Sequence, residues 1–172
     1  MLLEFKARNY KSFKDELVFS MLCAPKQKGL DYSLFEPKIG SAKYKVLCSA
    51  VIYGPNASGK TNVIGAMDTF KNIVLRGNIR NSVQRESPNA AAYNLELIPN
   101  NSVTEQQPVS FSITFIEEGV LVEYAFTADI GAFLEKDYAR RIIFEQLKII
   151  TELSLCGKTD CASIRFHQSK LI

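Results

Sequence analysis

The run GPNASGKT at residues 54–61 constrains this chain more than any other feature of its sequence. The glycines Gly54 and Gly59 allow the backbone to curl, so that successive N–H groups can point inward at an anion. Lys60 adds a mobile positive charge, and the hydroxyl of Thr61 suits a divalent cation that bridges two phosphates. The interior positions are Pro55, Asn56, Ala57 and Ser58. The run matches G-x-x-x-x-G-K-[ST] and predicts a phosphate-binding loop.

The sequence on either side of the loop favours this interpretation. Residues 46–53, VLCSAVIY, are a continuous apolar run, which predicts a strand buried on both faces, as in a parallel sheet. Residues 60–76 have helical spacing, and Gly77 follows Arg76 as at a helix end. The apolar stripe predicted to pack on the sheet is Val63, Ile64, Met67, Phe70 and Val74. The alternative is a glycine-rich turn with an incidental lysine.

The remaining patterns are mostly those of strands. Residues 2–8 alternate loosely and predict a half-buried strand, followed by a turn at 9–11 and a second strand at 16–21. Leu3, Phe5 and Ala7 are expected on one face of the first strand. We interpret residues 25–43 as a loop, and residues 78–107 as a loop with one short strand near Tyr93–Ile98.

A hairpin is predicted further along the chain. Residues 111–115 and 120–127 alternate around a turn at Glu117–Gly119, and residues 141–155 add one or two strands. The alternating aromatic residues of the hairpin could form a base-stacking platform, but packing on a core is favoured.

Composition excludes several classes of protein. The length of 172 residues is typical of one domain, and 47% hydrophobic with 23% charged residues indicates a globular chain. The net charge of +3 is too small to indicate nucleic-acid binding by itself. With no run of 18 apolar residues and no secretory signal, we expect no membrane span and a cytoplasmic location. Reduced thiols are expected at Cys23, Cys48, Cys156 and Cys161, and His167 is the single histidine, so ordinary thiols are favoured over zinc.

Two motifs resemble a known group. GPNASGKTN resembles the Walker A form G-x-N-x-[SA]-G-K-[ST]-N of ABC-type ATPase heads, which include SMC, RecF and OLD-like proteins and related bacterial AAA-family ATPases. The start, FKARNYKSFKDELVFSM, is similar to the N-terminal strand motif of that group. The hairpin and the stretch 142–147 resemble the antiparallel subdomain of the AAA-family members. The resemblance covers most of residues 1–150 and implies an α/β fold, a P-loop NTPase with the N-terminal lobe of an ABC-type head and an antiparallel β-subdomain.

The resemblance implies roles for individual residues, with ATP and Mg²⁺ as cofactors. Asn56 matches the loop residue that approaches the γ-phosphate, and Asn62 matches a residue near the α-phosphate. Lys60 takes the catalytic lysine position, and Thr61 takes the metal position. Lys11 and Ser12 match the N-terminal motif that lies close to the nucleotide, the alternative being a solvated turn. The phosphate-binding set is then Gly54, Pro55, Asn56, Ala57, Ser58, Gly59, Lys60, Thr61, Asn62, Lys11 and Ser12.

Several motifs of a complete head are missing from the sequence. We find no Walker B run ending in Asp-Glu, no S-G-G signature and no switch histidine. Glu117–Glu118 lies at a predicted turn, and Gln146 follows a strand-like run, which alone does not identify a Q-loop residue. We therefore expect one partial ATPase-head domain over residues 1–172, as a fragment, a truncated gene product or one piece of a split protein. Its predicted parts are 1–77 with the loop and first helix, 78–107 as loop, 108–155 as the β-subdomain, and 156–172 as a tail.

The expected function is Mg·ATP binding, with hydrolysis only when Walker B and signature motifs complete the head. The resemblance implies a homodimer or a C-terminal half of the head as partner, a nuclease or DNA as a further partner, and a role in DNA repair or phage defence. A different hypothesis is a non-catalytic interaction module, or a split-ATPase subunit that docks onto a partner chain. A third is a kinase that transfers phosphate to a small molecule, which the N-terminal strand motif disfavours.

Overall fold

A six-stranded antiparallel sheet organises the chain in the computed structural model, which describes residues 1–24, 29, 31–79, 97–103, 105–131, 138–152 and 160–166. The order across the sheet is β10-β9-β8-β7-β1-β2. Its strands are β1 (Leu2–Arg8), β2 (Leu17–Ser20), β7 (Val109–Glu117), β8 (Val120–Asp129), β9 (Arg141–Glu152) and β10 (Asp160–Phe166). Short strands make two further pairs: β3 (Leu34–Phe35) with β6 (Val46–Leu47), and β4 (Lys38–Ile39) with β5 (Ala42–Lys43). A short 3₁₀ helix at Asp31–Ser33 and one α-helix, α1 (Lys60–Arg76), complete the described elements.

The predicted hairpin is confirmed as β7 and β8. Phe111 pairs with Phe126 and Glu117 pairs with Val120, so the connecting loop is Glu118–Gly119. Both loop residues have positive φ, 48° and 79°, which matches the twist of a two-residue hairpin turn. Phe111 and Phe126 of the hairpin are buried, as core packing predicted, and Tyr124 is half-buried against the same cluster. The rings of Phe111 and Phe126 are therefore not accessible for base stacking.

Two apolar clusters pack on opposite faces of the sheet. The cluster beside α1 includes Phe5, Ala7 and Phe111, and the second cluster includes Leu3 and Ile116. The sequence analysis placed Leu3 on the same face as Phe5 and Ala7, and this was wrong. The register of β1 against β7 shifts between Leu2 and Glu4, and such an irregularity interrupts the alternation, so that Leu3 and Phe5, two residues apart, can point to different faces.

The helix α1 has the predicted ends and part of the predicted buried stripe, since Val63 and Phe70 are buried and Met67 packs against the core. Gly77 closes it in a left-handed conformation, and its N–H donates to the carbonyl of Ile73 at 2.9 Å. Two residues of the predicted stripe, Ile64 and Val74, are exposed. The buried residues are Val63, Ala66, Thr69, Phe70 and Ile73. Choosing the stripe by hydrophobicity alone missed the small and hydroxyl-bearing residues that face the sheet.

The predicted buried strand at 46–53 is wrong beyond Leu47. Val46 and Leu47 form β6, but the side chains from Cys48 onward are exposed, 84% for Val51 and 90% for Tyr53. All pairings between the described strands are antiparallel, and none involves residues 49–53. A strand buried on both faces must be covered on each of them, and the exposure of Val51 and Tyr53 shows that this segment is not.

Some predictions lie outside the described residues. These are Cys156, His167, residues 25–28, most of the short strand near residue 93, and the tail except for β10. Cys23 and Cys48 are free thiols, as expected. Within the described ranges, no helix has the length and hydrophobicity of a membrane span.

The aromatic anchor of α1 gives a stability prediction. Phe70 is nearly buried, with ring centroids 5.8 Å from Phe5 and 5.6 Å from Phe126. We expect Phe70→Ala to lower the free energy of unfolding by about 3–5 kcal/mol, because it removes the ring and leaves a cavity. Leu75→Ala on the exposed face of the same helix should cost within about 0.5 kcal/mol. Urea denaturation of both variants measures the difference, and equal losses would contradict this packing.

Candidate functional site

The loop that precedes α1 has the curled backbone predicted for it. Ala57 and Gly59 both have left-handed φ, 64° and 88°. At Gly54 a Cβ would lie 2.9 Å from the Ser58 hydroxyl, so a side chain there would collide with the loop. Left-handed residues within a turn make successive N–H groups converge, which creates a concave site for an anion.

The loop lysine folds back onto its own loop. Lys60 Nζ donates to the carbonyl oxygens of Gly54 at 2.7 Å and Pro55 at 2.6 Å, with the Ser58 hydroxyl 3.5 Å away. Carbonyl oxygens carry only partial charge, so phosphate oxygens could replace them with a gain in electrostatic attraction. The ammonium group is therefore held at the loop before any ligand arrives.

The first turn of α1 presents the N–H groups of Lys60 and Thr61 at the helix start, whereas the Asn62 N–H donates to the Gly59 carbonyl at 2.9 Å. Gly59 is the N-cap residue, and among the described residues no side chain caps the helix and no acidic residue occupies its first turn. The unpaired N–H groups at a helix start attract anions. Thr61 is exposed at this end of the helix, so its hydroxyl is accessible to a hydrated metal ion.

The N-terminal motif meets the loop through Ser12. The Asn62 amide donates to the Ser12 hydroxyl at 2.7 Å. A Cβ on Gly59 would lie 3.1 Å from the same hydroxyl oxygen and 3.3 Å from the Phe13 ring. The structure thus brings Ser12 next to Gly59 and Asn62, although Ser12 and Asn62 are 50 residues apart in sequence.

Lys11, the other residue predicted from that motif, lies beside α1. Lys11 Nζ lies 5.6 Å from the centre of the Tyr10 ring, and 3.7 Å from where a Cβ on Gly65 would be. Gly65 lies in the second turn of α1, beyond the loop. Lys11 is therefore placed along the helix rather than beside Lys60.

Tyr10 and Phe13 make contacts to α1 and the loop that the sequence analysis missed. The hydroxyls of Tyr10 and Thr69 are 3.0 Å apart in a buried hydrogen bond, which ties the N-terminal turn to α1. Phe13 packs against Gly59. The signal was present, since both aromatic residues belong to the NYKSF stretch at 9–13.

The carboxylate pair and the glutamine lie in the sheet. Glu117 and Glu118 are at the β7–β8 turn, and Gln146 lies in β9 opposite Ala125. Among the described residues, no group of three or more His, Cys, Asp or Glu could hold a metal ion.

A comparison with protein families identifies the domain. A family model described as an AAA domain, whose description also names the AbiEii toxin and a type IV TA system, matches residues 49–153. The chain belongs to this AAA domain family. The family implies a P-loop NTPase and supports nucleotide binding, and AAA ATPase domains generally use ATP and Mg²⁺. Neither the curated proteins nor the solved structures contain a match.

The matched region of the AAA domain begins in the exposed apolar run and contains the loop, α1, the β7–β8 hairpin and all of β9. The N-terminal turn with Ser12 precedes it. The candidate site therefore combines the start of the matched region with a segment outside it.

Two glycines that flank α1 form a matched pair for a test of the loop. Gly59 and Gly77 both have positive φ, 88° and 66°, so alanine at either should cost about 1–2 kcal/mol. Gly77 has open space around it, whereas a Cβ on Gly59 crowds Ser12 and Phe13. We expect Gly59→Ala to lower the free energy of unfolding more than Gly77→Ala. Chemical denaturation of the two variants checks this, and equal costs would argue against the close contact at Gly59.

Proposed function

We propose that this AAA domain binds Mg·ATP at residues 54–61. The observation that carries the proposal is the position of Lys60, whose ammonium lies on the carbonyls of Gly54 and Pro55 at the uncapped start of α1. An ammonium, convergent N–H groups and a helix N-terminus are three independent sources of attraction for a phosphate chain.

Each loop residue has a proposed part in holding the nucleotide. Lys60 would bind the β- and γ-phosphates, and the exposed Thr61 hydroxyl would ligate Mg²⁺. Asn56 is exposed in the loop and would approach the γ-phosphate, while Asn62, held by Ser12, would lie near the α-phosphate. Bound Mg²⁺ would neutralise charge on the phosphates. Pro55, Ala57, Ser58 and the two glycines would supply backbone contacts.

Hydrolysis is proposed to need groups from outside the described part of the chain. An attacking water requires a positioned base, and the nearest candidate pair in sequence, Glu117–Glu118, lies at a hairpin turn. We therefore propose that the chain is the N-terminal portion of an ABC-type head. Another segment or chain would complete the head with its Walker B and signature motifs. We further propose a role in defence against phage, with DNA repair as the alternative.

One observation favours the second candidate, a split subunit or an interaction module that docks onto a partner. Residues 49–53 are exposed and unpaired among the described residues, although they are strongly apolar. An exposed apolar segment of this kind is typical of a surface that another chain or segment covers. We propose that a partner chain, a second copy, or the other half of the head pairs with this segment.

Thermal unfolding with and without Mg·ATP tests nucleotide binding. At about 100 times its Kd, a ligand adds about 2.7 kcal/mol. For a chain of 172 residues, this corresponds to a Tm increase of about 5–10 °C. Lys60→Ala should abolish the increase, because it removes the ammonium that the loop holds.

The control is Lys71→Ala, which removes a lysine from the body of α1, away from the loop. It should keep the Tm increase. Equal shifts in the wild type and Lys60→Ala, or none in either, would contradict the proposed site. Steady-state turnover should be near background in all three proteins, and rapid turnover that depends on Lys60 would refute the need for a second half.

A further inference from the structure

The N-terminal turn beside the loop adopts an unfavourable backbone conformation. Asn9 and Lys11 both have left-handed φ, 54° and 47°, on either side of Tyr10. Asparagine tolerates this region, but lysine gains nothing from it. Such a conformation persists only where surrounding contacts over-determine it.

Two segments of the chain supply those contacts. The Lys11 N–H donates to the Ile98 carbonyl at 2.9 Å, and the Asn100 side-chain amide donates to the Lys11 carbonyl at 2.7 Å. The Asn100 N–H donates to the Asn9 side chain at 3.1 Å, and Asn9 donates to the Gln107 carbonyl at 2.7 Å. Both backbone groups of Lys11 are thus paired with residues 98–100.

The two asparagines of this arrangement are buried. Asn9 is 1% exposed and Asn100 is 6% exposed, whereas the neighbouring Asn101 is exposed to solvent. A buried amide that loses its partner pays the full cost of desolvation, so these hydrogen bonds hold their geometry strongly. The pair acts as a clamp on the turn.

The clamped turn carries the residues that touch the loop. Ser12 directly follows Lys11, and its hydroxyl accepts from Asn62 and lies against Gly59. The path from Asn100 to the loop is therefore short: one hydrogen bond to the Lys11 carbonyl, one peptide unit, and the Ser12 side chain. No side-chain contact between Asn100 and the loop is needed.

We propose that Asn100 is a positioning residue for the phosphate-binding loop, acting through the left-handed turn at Asn9–Lys11. The expected effect of Asn100 on nucleotide binding rests on the proposed function. The positioning of the loop by Asn100 can be measured without ligand. Nothing in the sequence pattern around residue 100 marks this asparagine, since Asn101 beside it is identical in type.

Amide hydrogen exchange of the full chain without nucleotide tests the positioning. In Asn100→Ala, exchange should become about tenfold faster both at 9–13 and at 54–63, because the turn is released and the loop loses its support. Asn100→Asp keeps the acceptor oxygens but loses the donor to Lys11, so it should behave similarly. The matched control, Asn101→Ala, should leave both regions unchanged.

Exchange in the hairpin at 111–126 reports whether the variant is still folded. Faster exchange at 9–13 with no change at 54–63 would overturn the proposal, because the turn would then be independent of the loop. If Asn100→Ala also accelerates amide exchange in the hairpin, the Ser12→Ala variant tests the proposal instead. It removes only the contact between the Ser12 hydroxyl and the loop. Ser12→Ala should accelerate 54–63 alone, and an unchanged loop would overturn the proposal.

Nucleotide titration separates this inference from the proposed function. If the wild type binds Mg·ATP, Asn100→Ala should weaken the Kd by about 2- to 30-fold, and Asn101→Ala should not. An unchanged Kd in Asn100→Ala would count against positioning. A wild type that binds no nucleotide would refute the proposed function, while the exchange result would still decide whether Asn100 positions the loop.

Discussion

The packing of Phe70 against the sheet is the contact on which the rest of this architecture depends. Its ring lies within 6.3 Å, centroid to centroid, of Phe5, Phe111, Tyr124 and Phe126, and it is the point where α1 meets β1, β7 and β8. Because α1 begins at Lys60, the orientation of this helix also determines where the loop and its lysine lie. The antiparallel sheet therefore serves as the support of the candidate site, although none of its strands leads into the loop.

The two sides of the loop differ in how they are held. On one side, the turn at Asn9–Lys11 brings Ser12 and Phe13 against Gly59, and Tyr10 bonds to Thr69. On the other side, the apolar residues 49–53 are exposed and have no strand partner among the described residues. A P-loop that is supported on one side only is consistent with a domain that is completed by further strands, as we propose.

The sequence predicted the local elements better than their surroundings. The hairpin at 109–129 and the helix at 60–76 followed from alternation, turn residues and a C-terminal glycine, all of which act over a few residues. The exposure of residues 48–53 could not be predicted in this way. Whether an apolar run is buried depends on neighbouring strands, which the run itself does not specify. Part of the buried face of α1 was missed because Ala66 and Thr69 are weakly hydrophobic. Asn100 was missed because its role depends on a contact 89 residues away in sequence.

The central claim is that the loop binds the phosphates of a nucleotide, and an amide NMR titration of the chain with Mg·ATP tests it most directly. Backbone N–H groups that bind phosphate change their chemical shifts, so the account predicts saturable changes in residues 54–63 and at Ser12. Amides of the β7–β8 hairpin, which belongs to the sheet and not to the loop, should not move. A titration that leaves residues 54–63 unchanged, or that shifts only other amides, would contradict the account.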